Sequence, residues 1–186
     1  MRISFKYTAL LMMGFILLTV SAVSAQDGKG RKIVFPEVEG WKKGNVTMYP
    51  TAELGYSIPY QSVEGGTVTV YVYNGGQRSI ADGTTDPKVK NEIKRAENDI
   101  RAAGDAGNYE NVKFIKNDTV TLGDLRSALY SLFSFSLNGR AVDSEIYLFG
   151  YQNNFIKIRA TRSKGANGPK NAALDDLLRA VATIFQ

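Results

Sequence analysis

Two close chain reversals in the second half of the sequence constrain the fold more than any other feature. Asn138-Gly139 and Asn153-Asn154 each separate stretches rich in β-branched, aromatic and alternating apolar residues, and Asn-Gly in that setting is the strongest short-range signal for a β-hairpin. Strands joined by such short reversals pair antiparallel. An antiparallel meander is therefore predicted, with strands at 112–122, 126–137, 141–151 and 155–162.

A further hairpin is predicted upstream of the meander. Residues 56–60 and 67–73 flank a glycine-containing turn at 64–66. Pro59 predicts an edge or a bulge in the first of these strands, because proline has no N–H to donate. The second strand alternates, so its two faces carry different side chains. One face has Val68, Val70 and Val72, and the other has Thr67, Thr69, Tyr71 and Tyr73.

Two amphipathic helices are predicted, one between the hairpin and the meander and one at the C-terminus. Asp86-Pro87 supplies an N-cap followed by proline at the first helical position. Apolar residues then recur every three or four positions, at Val89, Ile93, Ala96, Ile100 and Ala103. The second stripe consists of Ala173, Leu174, Leu177, Leu178, Val181, Ile184 and Phe185. This element order predicts an α+β fold, an antiparallel β-sheet of about five to seven strands flanked by two main helices.

The N-terminal sequence predicts export. Residues 1–25 combine Arg2 and Lys6, an apolar run and small residues ending at Ala25, which is the pattern of a cleavable secretory signal peptide. An uncleaved membrane anchor is the alternative for this segment. Residues 26–32 are predicted to form a flexible leader and residues 33–186 a single α+β domain. Cleavage after Ala25 places the protein in the periplasm or outside the cell, with no stable membrane insertion.

Charge and composition restrict the possible functions. The 23 basic residues include Arg2 and Lys6, so 21 remain after cleavage against 18 acidic ones; with no run of like charges, no nucleic-acid partner is predicted. The chain has no histidine and no cysteine. This excludes histidine-dependent triads, thiol nucleophiles and the zinc, haem and iron–sulfur sites that need these ligands. We predict no catalytic, cofactor-binding or metal-binding residues, and no cofactor.

Carboxylate pairs are the main resource left for an enzyme. A glycosidase needs two acids about 5–10 Å apart, and the candidate pairs are Asp82 with Asp86, Asp118 with Asp124, Asp143 with Glu145, and Asp175 with Asp176. None has a distinctive context, and Asp86 is explained by its role as a helix cap. A carboxylate-dependent hydrolase or lyase acting on an envelope glycan or similar polymer is the alternative function.

Strand alternation suggests one candidate binding surface. If the predicted strands are neighbours, one sheet face carries tyrosines with a lysine and an arginine among them. Such a surface suits an anion, a glycan or a protein partner. The competing interpretation is that these side chains pack beneath a helix or pair across strands. The candidate partner-binding residues are Tyr71, Tyr73, Tyr147, Lys157 and Arg159.

Four passages carry a family resemblance: GYSIPY at 55–60, TVTVYVY at 67–73, SEIYL at 144–148 and FIKIRAT at 155–161. They resemble uncharacterised exported bacterial proteins, and the element order over about residues 35–185 resembles the PsbP-like fold superfamily. The resemblance implies an α-β-α sandwich in a superfamily known mainly for binding partner proteins. With no catalytic motif in the sequence, we expect an exported, non-enzymatic binding module that binds a protein partner in the cell envelope.

Overall fold

A computed structural model describes residues 25–26, 32–63, 65–164 and 171–186 of the chain. The predicted signal peptide at 1–25 lies outside the described residues except for Ala25, and so does most of the predicted leader at 26–32. Strand β1 (Ala25–Gln26) pairs antiparallel with strand β2 (Lys32–Ile33). Within the described ranges, no helix has both the length and the apolar character needed to span a membrane.

The predicted antiparallel α+β fold is confirmed. Across the described residues the main sheet has eight strands, in the order β3-β5-β6-β10-β9-β8-β7, with β4 beside β5. They are β3 (Trp41–Lys43), β4 (Thr47–Met48), β5 (Tyr56–Ser62), β6 (Thr67–Tyr73), β7 (Glu110–Leu122), β8 (Arg126–Leu137), β9 (Arg140–Tyr151) and β10 (Asn154–Ser163). The sheet is larger than the predicted five to seven strands because β3, with three residues, is too short to show alternation.

Strand β10 joins the two predicted halves of the sheet. It pairs antiparallel with β9, its neighbour in the meander, and with β6, the second strand of the upstream hairpin. Ile158 lies opposite Val70 on one side and Tyr147 on the other. Directly opposed residues on neighbouring strands share a face of the sheet. The register of β10 therefore decides which side chains of the hairpin and of the meander meet.

Pro59 lies on β5, inside the sheet. On the outer side of β5 there is no continuous strand but two short ones, β3 and β4, with a break between them. Strand β3 pairs with residues 60–62 of β5 and strand β4 with residues 56–57, so β5 has neighbours on both sides. Between these pairings, the Gly44 N–H donates to the Pro59 carbonyl at 2.8 Å. Of the two predicted placements, an edge strand or a bulge, the edge strand is wrong for β5 as a whole. Its physical basis holds locally, since the proline without an N–H stands at the break between β3 and β4.

The two main helices are α1 (Pro87–Asp105) and α2 (Asn171–Ile184). The Asp86 carboxylate caps α1 by accepting hydrogen bonds from the N–H groups of Lys88 at 2.8 Å and Ala81 at 2.7 Å. These backbone bonds lower the pKa of Asp86. The buried side chains of α1 are Val89, Glu92, Ile93, Ala96 and Ile100.

The helices cover opposite faces of the sheet. Helix α2 packs on a large cluster that includes Val70 and Ile158. Helix α1 contacts β7, β8 and β9, and its N-terminal half also packs on Tyr73 and Phe155 at the ends of β6 and β10. On the α1 face, the middle of β6 and β10 remains partly exposed at Tyr71, Lys157 and Arg159.

Candidate functional site

A groove opens beside α1 over the middle of β6 and β10. It consists of two adjoining cavities of about 440 and 130 Å³, and both are lined by Tyr71 and Lys157. We call it the Tyr71–Lys157 groove. Its floor is formed by Tyr71, Tyr73, Lys157 and Arg159, one wall by Thr51, Glu53 and Leu54, and the other by Arg95, Ala96 and Asp99 of α1.

Lys157 lies across two aromatic rings of the floor. It pairs directly with Tyr71 across the β6–β10 ladder, and its Nζ atom is 4.8 Å from the centroid of the Tyr71 ring and 5.2 Å from that of Tyr73. An ammonium in this position is attracted to the negative face of each ring, by about 0.5–2 kcal/mol depending on desolvation. The rings therefore hold the lysine in the groove.

The charge of Lys157 has no carboxylate partner. Among the described residues, none accepts a hydrogen bond from its ammonium or forms an ion pair with it. Burial lowers the pKa of Lys157, and the more distant carboxylates of Glu92 and Asp99 partly oppose this shift. A half-buried cation without a counter-ion costs folding free energy, so its position calls for an explanation beyond packing.

Arg159 is the second cation of the floor. Its Nε atom donates to the Ser144 hydroxyl at 3.1 Å, and its Nη2 atom donates to the Tyr109 hydroxyl at 3.2 Å. The guanidinium carbon lies 5.8 Å from the centroid of the Tyr109 ring. These neutral partners orient the guanidinium without neutralising it, and within the described ranges no carboxylate pairs with it.

The wall opposite α1 depends on a glycine. The 3₁₀ turn at Ala52–Leu54 ends at Gly55, which has a φ of 62°. A β-carbon at this position would lie 1.9 Å from the Val72 carbonyl oxygen, so only glycine allows the turn to pack this closely against β6. The chain just after β6 is also bonded to this turn, because the Gly75 N–H donates to the Glu53 carbonyl at 2.8 Å. This packing places Leu54, which is 53% exposed, at the mouth of the groove.

Three of the five predicted contact residues meet as expected. Tyr71, Lys157 and Arg159 lie together on the floor and are partly exposed. Tyr73 belongs to the same face but is buried, and its hydroxyl donates to the Glu92 carboxylate at 2.5 Å. Burial, followed by the negative charge of Glu92, raises the pKa of Tyr73. For Tyr73, packing beneath a helix is thus the better interpretation.

The prediction that Tyr147 shares this face is wrong. Tyr147 pairs with Ile158 rather than with Lys157 or Arg159, so it lies on the α2 face. It is buried there, and its hydroxyl donates to Glu145 at 2.9 Å. Alternation within β9 shows which residues share a face of that strand. It does not show how β9 aligns with β10, and an offset of one residue exchanges the two faces.

Several residues of the site were not predicted from the sequence. Tyr49, Arg95 and Tyr109 line the groove, but they lie in a loop, on the polar side of α1 and just after that helix, where no periodic signal marks them. Glu92 has such a signal. It follows Val89 by three positions, within the apolar stripe, and it is indeed buried. Its carboxylate also accepts two hydrogen bonds from Arg95, at 2.6 and 2.8 Å.

The acidic pairs proposed as catalytic candidates have structural partners in several cases. Glu145 is buried and pairs with Arg162 at 2.5 Å, while Asp143 lies 4.0 Å from Lys164. The Asp82 carboxylate accepts the Gln152 N–H at 2.7 Å. In the part of the chain that the structure describes, no cluster of three acidic residues could hold a metal ion.

No protein-family model matches this chain, and no curated protein matches it. We therefore infer its function from the geometry of the groove.

Proposed function

We propose that this protein is an exported, non-enzymatic binding module, periplasmic or secreted, that binds a protein partner in the cell envelope through the Tyr71–Lys157 groove. The observation that carries the proposal is the position of Lys157. Its ammonium lies over the Tyr71 and Tyr73 rings, in a groove that α1 leaves open, and none of the described residues forms an ion pair with it.

Physical chemistry supports binding as the role of this lysine. Folding alone would favour an apolar side chain at a half-buried position with no counter-ion, because the charged form loses hydration there. A partner that brings a negatively charged group to Lys157 compensates for this lost hydration when it binds. Aromatic side chains and arginine, which surround Lys157 in the groove, are the residue types enriched at protein interfaces.

The chemistry of the described acids also favours binding over catalysis. Glu145 and Asp143 each have a cation beside them, and Asp86 serves as the cap of α1. A carboxylate-dependent hydrolase or lyase stays the alternative. Turnover of an envelope glycan by the purified protein, abolished by replacing one acid, would establish that alternative instead.

The PsbP-like resemblance and the export signal are part of the proposal. The order of hairpin, helix, meander and helix, with a helix on each face of an antiparallel sheet, supports an α-β-α sandwich of that kind. Export rests on the signal-peptide pattern of residues 1–25. Sequencing the N-terminus of the protein recovered from the periplasm or the medium tests it, and we expect the mature chain to begin at Gln26.

Site-specific photo-crosslinking tests the binding function. Leu54 at the mouth of the groove is replaced by the photoreactive p-benzoylphenylalanine, and the matched control carries it at Asp176, an exposed position on α2. We expect irradiation in an envelope extract of the producing organism to give a discrete adduct from position 54 alone, and Lys157→Met to remove it. Equal adducts from both positions, or an adduct that Lys157→Met leaves unchanged, would contradict the proposal.

A further inference from the structure

The two cations of the groove floor, neither of which has an ion-pair partner among the described residues, occupy alternate positions on β10. Lys157 and Arg159 flank the buried Ile158 on β10, so both face the groove. Residues two apart on a β-strand are separated by about 6.6–6.8 Å. The backbone positions of the two cationic side chains thus have the spacing of alternate residues in any extended peptide.

We propose that the groove binds an extended segment of the partner protein that carries two carboxylate side chains at positions i and i+2. This inference rests on the proposed function and adds the chemistry of the ligand. Side chains i and i+2 of a segment lying along β10 point to the same side, so carboxylate i reaches Lys157 and carboxylate i+2 reaches Arg159. Hydrogen bonds between ionised groups of opposite sign are the strongest that a protein forms.

The wider cavity can hold one more side chain of the bound segment. It lies on the side of Lys157 away from Arg159, and its lining includes Leu54, the Tyr49 ring and Gly75. This surface is mainly apolar, in contrast to the cationic floor. An apolar side chain at position i−2 of the bound segment fits there, because it again points to the same side as the two carboxylates.

Two acids on the walls restrict where carboxylates are accepted. Glu53 lines the wider cavity and Asp99 the narrower one. Both repel a carboxylate anywhere in the groove, and only contact with Lys157 or Arg159 offsets this repulsion. The groove therefore selects the spacing of two carboxylates rather than the total negative charge of a segment.

Isomeric peptides test the spacing. The first probe is Ac-Leu-Ser-Glu-Ser-Glu-Ser-NH2, with glutamates two apart, and the second is Ac-Leu-Ser-Glu-Glu-Ser-Ser-NH2, with the same composition and charge. We expect isothermal titration calorimetry on the mature protein to give about tenfold tighter binding for the first. The neutral analogue with both glutamates replaced by glutamine gives the baseline.

Variants assign each carboxylate to its cation. Arg159→Met should make the two isomers bind equally, because the one remaining cation can pair with only one glutamate whatever the distance to the other. Lys157→Met should weaken the binding of both isomers. Glu53→Gln with Asp99→Asn should tighten the adjacent-glutamate isomer. Lys164→Met is the matched control, since Lys164 is 56% exposed at the end of β10 and outside the groove. Circular dichroism melts show that each variant is folded.

When the peptides bind, three outcomes overturn the inference. They are equal binding of the isomers by the unmodified protein, a spacing preference that survives Arg159→Met, and tighter binding of trigalacturonate, which would assign the groove to an acidic glycan. If the peptides fail to bind but crosslinking from position 54 still traps a Lys157-dependent partner, the ligand chemistry is wrong and the binding function stands. If the crosslink is also absent, the binding function fails with it.

Discussion

The two faces of the central sheet are covered to different extents. On the α2 face, the helix is supplemented by the N-terminal part of the domain: the Trp41 Nε1–H donates to the Ala173 carbonyl at 3.0 Å, and the Phe35 and Phe185 rings lie 6.3 Å apart. On the α1 face, the helix crosses β7, β8 and β9, and the middle of β6 and β10 stays accessible.

The difference follows from the width of the sheet. Strands lie about 4.8 Å apart and a helix with its side chains is about 10–12 Å wide, so one helix covers two or three strands. A sheet of this size therefore needs additional segments on both faces. The α2 face has them in Phe35 and Trp41. The α1 face instead exposes tyrosines with Lys157 and Arg159, which we interpret as the binding surface.

The largest expected effect comes from the closed face. Leu177 of α2 is fully buried, so Leu177→Ala should lower the free energy of unfolding by about 2–5 kcal/mol. Leu54→Ala, at the exposed mouth of the groove, should change it by less than about 0.5 kcal/mol. Urea unfolding followed by circular dichroism measures both. If both variants lost a similar free energy of unfolding, the proposed difference in coverage between the two faces would be contradicted.

A smaller loss in the free energy of unfolding is expected at the Glu92–Tyr73 hydrogen bond, which lies between the part of the α1 face covered by the helix and the open groove. Glu92→Leu removes the acceptor of the buried Tyr73 hydroxyl, which should cost about 1–3 kcal/mol. Arg95 is 60% exposed and regains water. The double variant Glu92→Leu with Tyr73→Phe should recover part of the loss, since no buried hydroxyl is then left unpaired. Absence of coupling in this double-mutant cycle would argue against the hydrogen bond.

In the open groove, by contrast, we expect a substitution that keeps or raises the stability of the protein. Lys157→Met keeps the packing on the tyrosine rings and removes a poorly solvated charge, so the melting temperature should stay the same or rise by about 1–4 °C, as stabilising substitutions at binding sites commonly do. Lys164→Met should leave it nearly unchanged. A clear fall for Lys157→Met, measured by differential scanning fluorimetry, would mean that the lysine is part of the structural core.

The smallest expected effect is a pH dependence of stability. The pKa of Lys157 is lowered in the folded state, so between that value and the unfolded value of about 10.4 the unfolded chain binds more protons. Stability of the unmodified protein should rise with pH in this window relative to Lys157→Met. The charged or titratable groups around the ammonium are Glu92, Arg95, Asp99, Arg159, Tyr71 and Tyr73. A parallel pH profile for both proteins in urea unfolding would contradict the shift.

Local patterns predicted the elements of this fold well. The Asn138-Gly139 hairpin, the alternation of β6 and the cap at Asp86 are all found in the structure, because each depends on neighbours in sequence. Tyr71 and Lys157 do share a face, but this outcome depends on the register of β6 with β10, which alternation within each strand does not fix.

Features that depend on distant partners were not predicted. Tyr147 was assigned to the wrong face because the alignment of β9 with β10 is set by long-range pairing. Tyr49 and Tyr109 were not predicted for the same reason, since they reach the groove from loops. Glu92 lay within reach of the sequence, as its position on the apolar stripe of α1 indicates burial.

The break at Pro59 has a consequence for how the protein behaves at high concentration. An uninterrupted outer strand would offer a long row of unpaired backbone groups to a second sheet, which is the common route to aggregation. Here that margin consists of β3 and β4, with three and two residues. At the opposite margin, β7 carries two register irregularities together with Lys113 and Lys116, and both features discourage edge-to-edge stacking. Both margins of a sheet with strands of up to 13 residues thus limit pairing with the edge of a second sheet.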